Sequence, residues 1–489
     1  MMFASFRLSH RPVFQSFRLV CLFGVALAAM FTCGCGGGNG TGSTLSRNTS
    51  VVVLVSSTAN DQISRLNLTL ASLTLTSQSG KTISVFSTPQ NAEVMHLNGT
   101  AEPLATVMVP QDVYTSAAAT FDVAEPFNAP LCVGQNTPLA DNVFNQQIGI
   151  SLNQIVDVPA PIKVAGTAMG FALDLQVGTI PPFNCTFSPG RNSVAGTFTL
   201  TPVTIAASPT NSTNGKATGL RGLINTVAAN GAGFSVAGED GPSWQVSTGS
   251  TTVFQGITGA TQLVAGLPVD MDVAVQTDGS LLATRVAVYD PNPANLTISS
   301  GPLVQTPVSV PVVLAVGVEG QGLISTGVIE NFSFGATTFQ ISGQLTNLRS
   351  LPFAATFNAS NMVPGQNVLF STHALSVQGG PTYAPATTAT LVPQTINGTV
   401  TAVSMSGGFT TYTVGLLSYD LFPDLAVQPG QTSLLSNPNT VIVYADSNTQ
   451  LLNSEPIAPG SLIRFNGLVF NDSGTLSMDC AQINDGVAE

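Results

Sequence analysis

Apolar side chains in this chain recur at every second position, and no stretch beyond the leader sustains helical spacing, which restricts the body to β-structure. Leu66, Leu68 and Leu70 alternate with polar partners; the phase then slips by one and Leu73 and Leu75 continue it. A three-residue step inside a strand predicts a β-bulge near Ala71 and Ser72. Val51–Val55 begin a short apolar run rich in β-branched residues, and the alternating period returns in Ile83 and Val85, and in Val107 and Val109 before Pro110. Tyr114 and Phe121, Leu173 and Leu175, and Phe198, Leu200 and Val203 add further strands. With 47 Gly and 31 Pro to punctuate them, these strands are short and turn-rich. The 489 residues suffice for about three domains. Charged residues make up only 8% of the chain, roughly a third of the usual share, so neutral Thr, Ser, Asn and Gln must cover the surface.

The start of the chain obeys different rules. Arg7, His10, Arg11 and Arg18 precede an apolar run, Leu19 to Phe31, too short for the roughly 20 residues of a spanning helix. Thr32, Cys33, Gly34, Cys35 and a Gly-rich stretch follow. The arrangement resembles a bacterial lipoprotein signal, which implies cleavage after residue 34 and lipid attachment at Cys35, with Cys33 the alternative. The competing reading is an ordinary secretory leader with incidental cysteines. Residues 35–50 read as a Gly/Ser/Thr tether reaching on the order of 20 Å. No second stretch is long and apolar enough to span, so the expected body is anchored only by its start. Gly36 lacks the Asp that retains some lipoproteins at the inner membrane, which favours the outer one. Export makes a Cys132–Cys185 disulfide the expectation for the first domain, against two separate buried thiols. Cys480 has no evident partner.

Loss of residues 1–34 would remove Arg7, Arg11 and Arg18 of the 13 basic groups and none of the 25 acidic ones. A more acidic surface repels phosphate backbones, so nucleic acid is disfavoured as a partner.

Residues 51–208 read as a β-sandwich. Through Val94–Gly99 (VMHLNG), the Val109-Pro110 step before Tyr114-Thr115, Leu173–Leu175 (LDL) and the TLTPVTI from Thr199, this region resembles a bacterial domain family of unknown function found behind lipoprotein signals. That resemblance implies a β-sandwich and an envelope location, and no activity. Beyond a polar linker at residues 209–215 the chain repeats. Residues 216–290, through TTVFQG (Thr251–Gly256) and GSLLATRV (Gly279–Val286), resemble an OB-like domain family of bacterial envelope proteins. Residues 395–489 share the plan of a Gly-started strand, a Phe strand and a closing hairpin. Residues 317–394 form a degenerate copy, and the Pro-rich residues 291–316 read as a stiff connector. The expected architecture is all-β: a sandwich, then two or three small OB-like Greek-key barrels.

Chemistry is sparse. His96 and His373 are the only histidines beyond the leader, each on an apparent strand, and no G-x-S-x-G elbow accompanies them. Asp270 and Asp272 share a strand face and are candidate cation ligands, joined by Asp278 or by Glu239 and Asp240; the competing reading is a solvated face. Trp244, the one tryptophan, is a candidate sugar-stacking platform against the commoner role of core residue. No cofactor is indicated. The expected function is a structural or binding role toward protein or glycan at the cell envelope; the alternative is a carboxylate-dependent hydrolase of envelope or extracellular polysaccharide.

Overall fold

The computed structural model describes residues 47–57, 67–86, 88–93, 97, 101–123, 149–177, 193–203, 216–238, 243–276, 278–303, 312–316, 319–321, 329–343, 350–373, 384–417, 420, 422–423, 434–451 and 456–485. All belong to one compact unit, Ser46–Glu489. The architecture is all-β, a sandwich followed by small OB-like barrels. Among the described residues no helix is long and apolar enough to cross a membrane.

The first domain contains β1 (Asn48–Ser57), β2 (Asn67–Ser77), β3 (Thr82–Ser84), β4 (Gln90–Glu93), β5 (Ala101–Pro110), β6 (Val113–Val123), β7 (Gly149–Asp157), β8 (Ile162–Lys163), β9 (Ala168–Val177) and β10 (Ser193–Val203). They form one hydrogen-bonded sheet, ordered β3-β2-β6-β7-β10-β9-β1-β5, with β4 on β2 and β8 on β6. The slip in the leucine pattern is a bulge: the β2–β6 register shifts between Leu70 and Ser72, leaving Ala71 unpaired. Leu68, Leu70, Leu73 and Leu75 therefore all enter the core, each contributing about 2 kcal/mol of burial. The Tyr114 hydroxyl donates to the Pro110 carbonyl at 2.9 Å and ties the β5–β6 corner.

The run VVVLV in β1 is apolar at every position because β1 is buried on both faces. Val51, Val53 and Val55 pack into the sandwich core, whereas Val52 and Leu54 join the core of the next domain.

That next domain contains β11 (Lys216–Val227), β12 (Gly233–Gly238), β13 (Ser243–Ser247), β14 (Val253–Gln255), β15 (Pro268–Val275) and β16 (Leu281–Ala287). The order β13-β12-β11-β15-β16 closes through a parallel β13–β16 pairing, with β14 added parallel to β16. This is the five-stranded Greek-key ring of an OB fold. The last domain repeats it strand for strand: β25 (Gln394–Ser406), β26 (Phe409–Leu416), β27 (Thr440–Ala445), β28 (Gln450–Leu451), β29 (Leu462–Asp472) and β30 (Thr475–Asp485) close through parallel β27–β30, with β28 on β30.

Between them lie β17 (Thr297–Pro302), β18 (Val312–Val316), β19 (Glu319–Gln321), β20 (Ile329–Ser333), β21 (Thr338–Ile341), β22 (Asn367–Thr372), β23 (Ala384–Pro385) and β24 (Thr388–Leu391). Here β19 pairs the first strand, β17, while β18 pairs β20; β23 lies parallel to β20, and β24 closes onto β22. The connectivity is that of the other barrels with two strands broken in half. The expected boundary was misplaced, because β17 and β18 lie inside the segment read as a Pro-rich connector. The sequence of β17, TISSGP, shows no apolar alternation, yet five of its six residues are buried.

One glycine marks the first strand of every barrel. Gly222 faces Val269, Gly301 faces Val368 and Gly398 faces Ile463, all at the same place relative to the fourth strand. A Cβ on Gly222 would strike the Ala237 carbonyl, and one on Gly398 would strike that of Gly415, so the sharply curled strand excludes a side chain.

Candidate functional site

The same register identifies an equivalent cross-strand pair in each barrel. Asp272 faces Arg285, Ser371 faces Thr388, and Asn466 faces Gln482. In the first and last barrels a bulge falls beside it, leaving Thr284 and Ala481 as the extra residues. Each bulge reverses the alternation, so polar side chains after it lie outside the barrel while Val286 and Ile483 return to the core.

In the first barrel this pair is part of a buried ionic network. Arg285 donates from Nε to Asp272 Oδ2 at 2.7 Å and from NH2 to Asp270 Oδ1 at 2.5 Å. Arg221 Nε lies 3.6 Å from Asp270 Oδ2, and Arg221 NH1 donates to Ser300 Oγ of the middle barrel at 3.0 Å. Burial alone would raise the Asp270 carboxyl, but Arg285 and Arg221 outweigh it and hold it below the usual carboxylate range. Tyr289, buried beside Asp270, is pushed well above an ordinary phenol and donates to Ser342 Oγ at 2.9 Å. Gln255 and Gln340, at equivalent repeat positions, reach in opposite directions across the same interface, Gln255 to the Ile341 carbonyl and Gln340 to the Tyr289 carbonyl. The network joins the first barrel to the middle one.

A cleft opens where the barrels meet. Thr218 and Asp272 of the first barrel, Ser350 and Leu351, and Phe409, Asp446, Asn448, Gln450, Asn466 and Asp479–Gln482 of the last barrel line it. Asp446 closes its own turn, accepting from the Asn448 backbone N–H at 2.7 Å and from Asn448 Nδ2 at 3.1 Å. Asp479 is different. It is 7% exposed, and among the described residues no hydrogen bond or ion pair satisfies its carboxylate. Burial first, and then the neighbouring Asp446, pushes its carboxyl up to about 7. Gln482 Oε1 is also shielded from solvent and unpartnered. The floor of the cleft therefore presents hydrogen-bond acceptors without donors.

The residues singled out in the sequence fall elsewhere or serve other ends. Asp270 and Asp272 do share a face, but Arg285 already supplies the cation between them. Asp278 accepts from the Ser280 N–H and hydroxyl in a hairpin turn. No three of His, Cys, Asp and Glu gather into a metal-binding group among the described residues. Trp244 offers no open face: it is 5% exposed, packs in the first barrel's core, and donates from Nε1 to the Pro103 carbonyl at 2.9 Å. His373 places Nδ1 2.8 Å from the Ala294 carbonyl and Nε2 2.9 Å from Asp290 Oδ2. Ser371 Oγ donates to that same Asp290 oxygen, so serine and imidazole converge on a carboxylate and not on each other. Cys480 is a buried free thiol whose ionisation burial pushes far up. Cys33, Cys35, Cys132, Cys185, His96, Glu239 and Asp240 lie outside the described residues. Asp446, Asp479 and Gln482 were not anticipated; the one available signal was an aspartate inside the strand TLSMDCAQI.

No protein-family model and no curated protein matches the sequence. Among solved structures, drosophila Unr CSD456 is 12% identical, with 56% of this chain and 98% of that chain covered and a TM-score of 0.13. A glycoside hydrolase family 32 structure from Bifidobacterium adolescentis is 9% identical over 89% and 67%, with a TM-score of 0.11. Neither similarity carries structural weight at such scores.

Proposed function

We propose that this chain is a lipid-anchored cell-envelope protein, held at the outer membrane in preference to the inner, whose barrels bind a polar ligand, glycan ahead of protein. The anchor rests on the leader, Cys35 with Cys33 as alternative, and the Gly-rich tether. The binding role rests on one observation, the cleft at the barrel junction. It combines amides (Asn448, Gln450, Gln482), carboxylates (Asp446, Asp479) and a Phe409 ring, the groups that hold sugar hydroxyls and stack on sugar faces. A barrel built only as a spacer has no use for a buried, unsatisfied carboxylate.

The hydrolase reading has one observation in its favour: Asp479, with its raised carboxyl, shares the cleft with Asp446. Binding is the better account because both Asp446 oxygens are occupied by Asn448 in its own turn. Metabolic labelling with a radioactive fatty acid tests the anchor. Label should enter the wild type and be lost in Cys35→Ala; label that persists there but disappears in Cys33→Ala moves the site, and label absent from the wild type removes the anchor.

A further inference from the structure

We infer that the cleft takes a sugar bearing a free primary amine, an unacetylated amino sugar whose ammonium group seats on Asp479 and Gln482. The inference rests on the glycan-binding reading above and names the chemistry of the ligand.

Among the described residues the cleft lacks a donor for its most buried carboxyl group. Asp272, on the first-barrel wall, is neutralised by Arg285, and Asp446 is held by Asn448. Asp479 is left more than nine-tenths buried, lining the cleft, with no donor among the described residues. Near neutral pH the burial of that group is relieved either by uptake of a proton or by a positive partner from the ligand. Gln482 Oε1 adds a second unsatisfied acceptor. The two are brought to one face by the bulge at Ala481: Met478 and Cys480 point into the barrel core before it and Ile483 after it, leaving Asp479 and Gln482 on the outside.

The occupant must therefore bring hydrogen-bond donors and a positive charge. An ammonium group has three donors and no acceptor, and matches one free carboxylate plus one amide oxygen. A bare divalent cation does not: it takes six or so oxygen ligands and at least two uncommitted carboxylates, and only Asp479 is uncommitted. The surrounding Thr218, Gln450 and Asn448 suit the hydroxyls of a pyranose, and Phe409 offers a ring face.

The test is isothermal titration calorimetry of the full-length chain at pH 7 with three matched oligomers: glucosamine, N-acetylglucosamine and glucose. The expected result is at least about tenfold tighter binding of the glucosamine oligomer than of the other two, a preference of about 1.4 kcal/mol. Asp479→Asn should abolish that preference, leaving the glucosamine oligomer no tighter than the two neutral ones; Gln482→Met should reduce it. Equal affinity for all three would overturn the amine and leave glycan binding standing. Failure of all three to bind would remove both. Heat on adding calcium chloride alone that vanishes in Asp479→Asn would replace the amine with a metal. Tetralysine binding as tightly as the glucosamine oligomer would overturn the sugar.

Discussion

Arg285→Met is the most informative perturbation of the barrel junction. Arg285 is 5% exposed and its guanidinium spans Asp270, itself 2% exposed, and Asp272. Methionine keeps much of the volume and deletes the charge. Asp270 is then left with Arg221 at 3.6 Å and the Tyr289 hydroxyl at 3.4 Å, neither replacing a 2.5 Å charged hydrogen bond. Breaking one partner of a buried pair costs about 3–5 kcal/mol, chiefly the uncompensated charge. Asp270→Asn added to Arg285→Met should recover a large part of the loss. The pH dependence supplies an independent sign. In the wild type the Asp270 carboxyl lies below its unfolded value, so its contribution is complete above that value and is lost as pH falls through the lowered one. With Arg285 gone, burial dominates and the folded carboxyl moves above its unfolded value. The variant should then gain more stability than the wild type as pH is lowered from 7 to 5, the gain from Asp479 being common to both. Urea unfolding followed by far-ultraviolet circular dichroism at both pH values measures this. A variant within about 1 kcal/mol of wild type at pH 7, with no gain at pH 5 beyond that of the wild type, would refute the claim that the guanidinium locks the junction.

The lone Trp244 should emit as a fully buried indole and resist acrylamide quenching, with no spectral change on adding any oligosaccharide; a sugar-induced shift would restore it as a binding platform. Trp244→Ala should cost about 3–5 kcal/mol in urea unfolding, since it empties a core site and strands the Pro103 carbonyl. Gly222→Ala and Gly398→Ala should each cost about 2–4 kcal/mol, because the methyl meets a strand carbonyl that cannot withdraw. Gly249→Ala, whose methyl would meet only Leu282 Cδ1 at 3.5 Å, should stay within about 0.5 kcal/mol of wild type in the same measurement.

What the sequence revealed follows from which forces leave a periodic trace. The bulge at Ala71 was legible because a half-buried strand must keep its leucines on one side, and a slip in phase has only one structural meaning. The OB-like repeat was legible at both ends, where β11 carries Gly222, β25 carries Gly398, and β16 and β30 close a hairpin. It was lost at β17 because Thr297, Ser299 and Ser300 are buried polar residues, Ser300 bonded to Arg221 of the neighbouring barrel, and buried polar residues carry no apolar alternation. Gly301 was the surviving signal. Asp270 and Asp272 were correctly placed on one face, yet their partner Arg285 belongs to the next strand, and pairing across strands depends on a register that spacing along one strand cannot supply. Asp479 was hidden for the same reason: what sets it apart is the lack of a partner, which only the folded arrangement displays.

The three equivalent pairs show how one repeat position has taken up different work. Each pair sits on the outside of its barrel, beside a bulge in the first and last, so an apolar pair packed against a neighbouring barrel there would serve equally well. The first barrel has Asp272 and Arg285, a charged pair bonded at 2.7 Å that extends through Asp270 and Arg221 to Ser300, with Arg285 NH1 left without a partner. The middle barrel has Ser371 and Thr388, a neutral pair bonded at 2.7 Å and capped by Asp290. The last barrel has Asn466 and Gln482, and of the three pairs only this one has no hydrogen bond between its two side chains. Asn466 donates to Thr395 Oγ1, while Gln482 Oε1 stays unmet beside an unmet Asp479. Two closed versions of the same position and one open version argue that the opening is a property of that barrel alone and not of the fold. The cleft is a repeat interface from which the internal partner has been withdrawn.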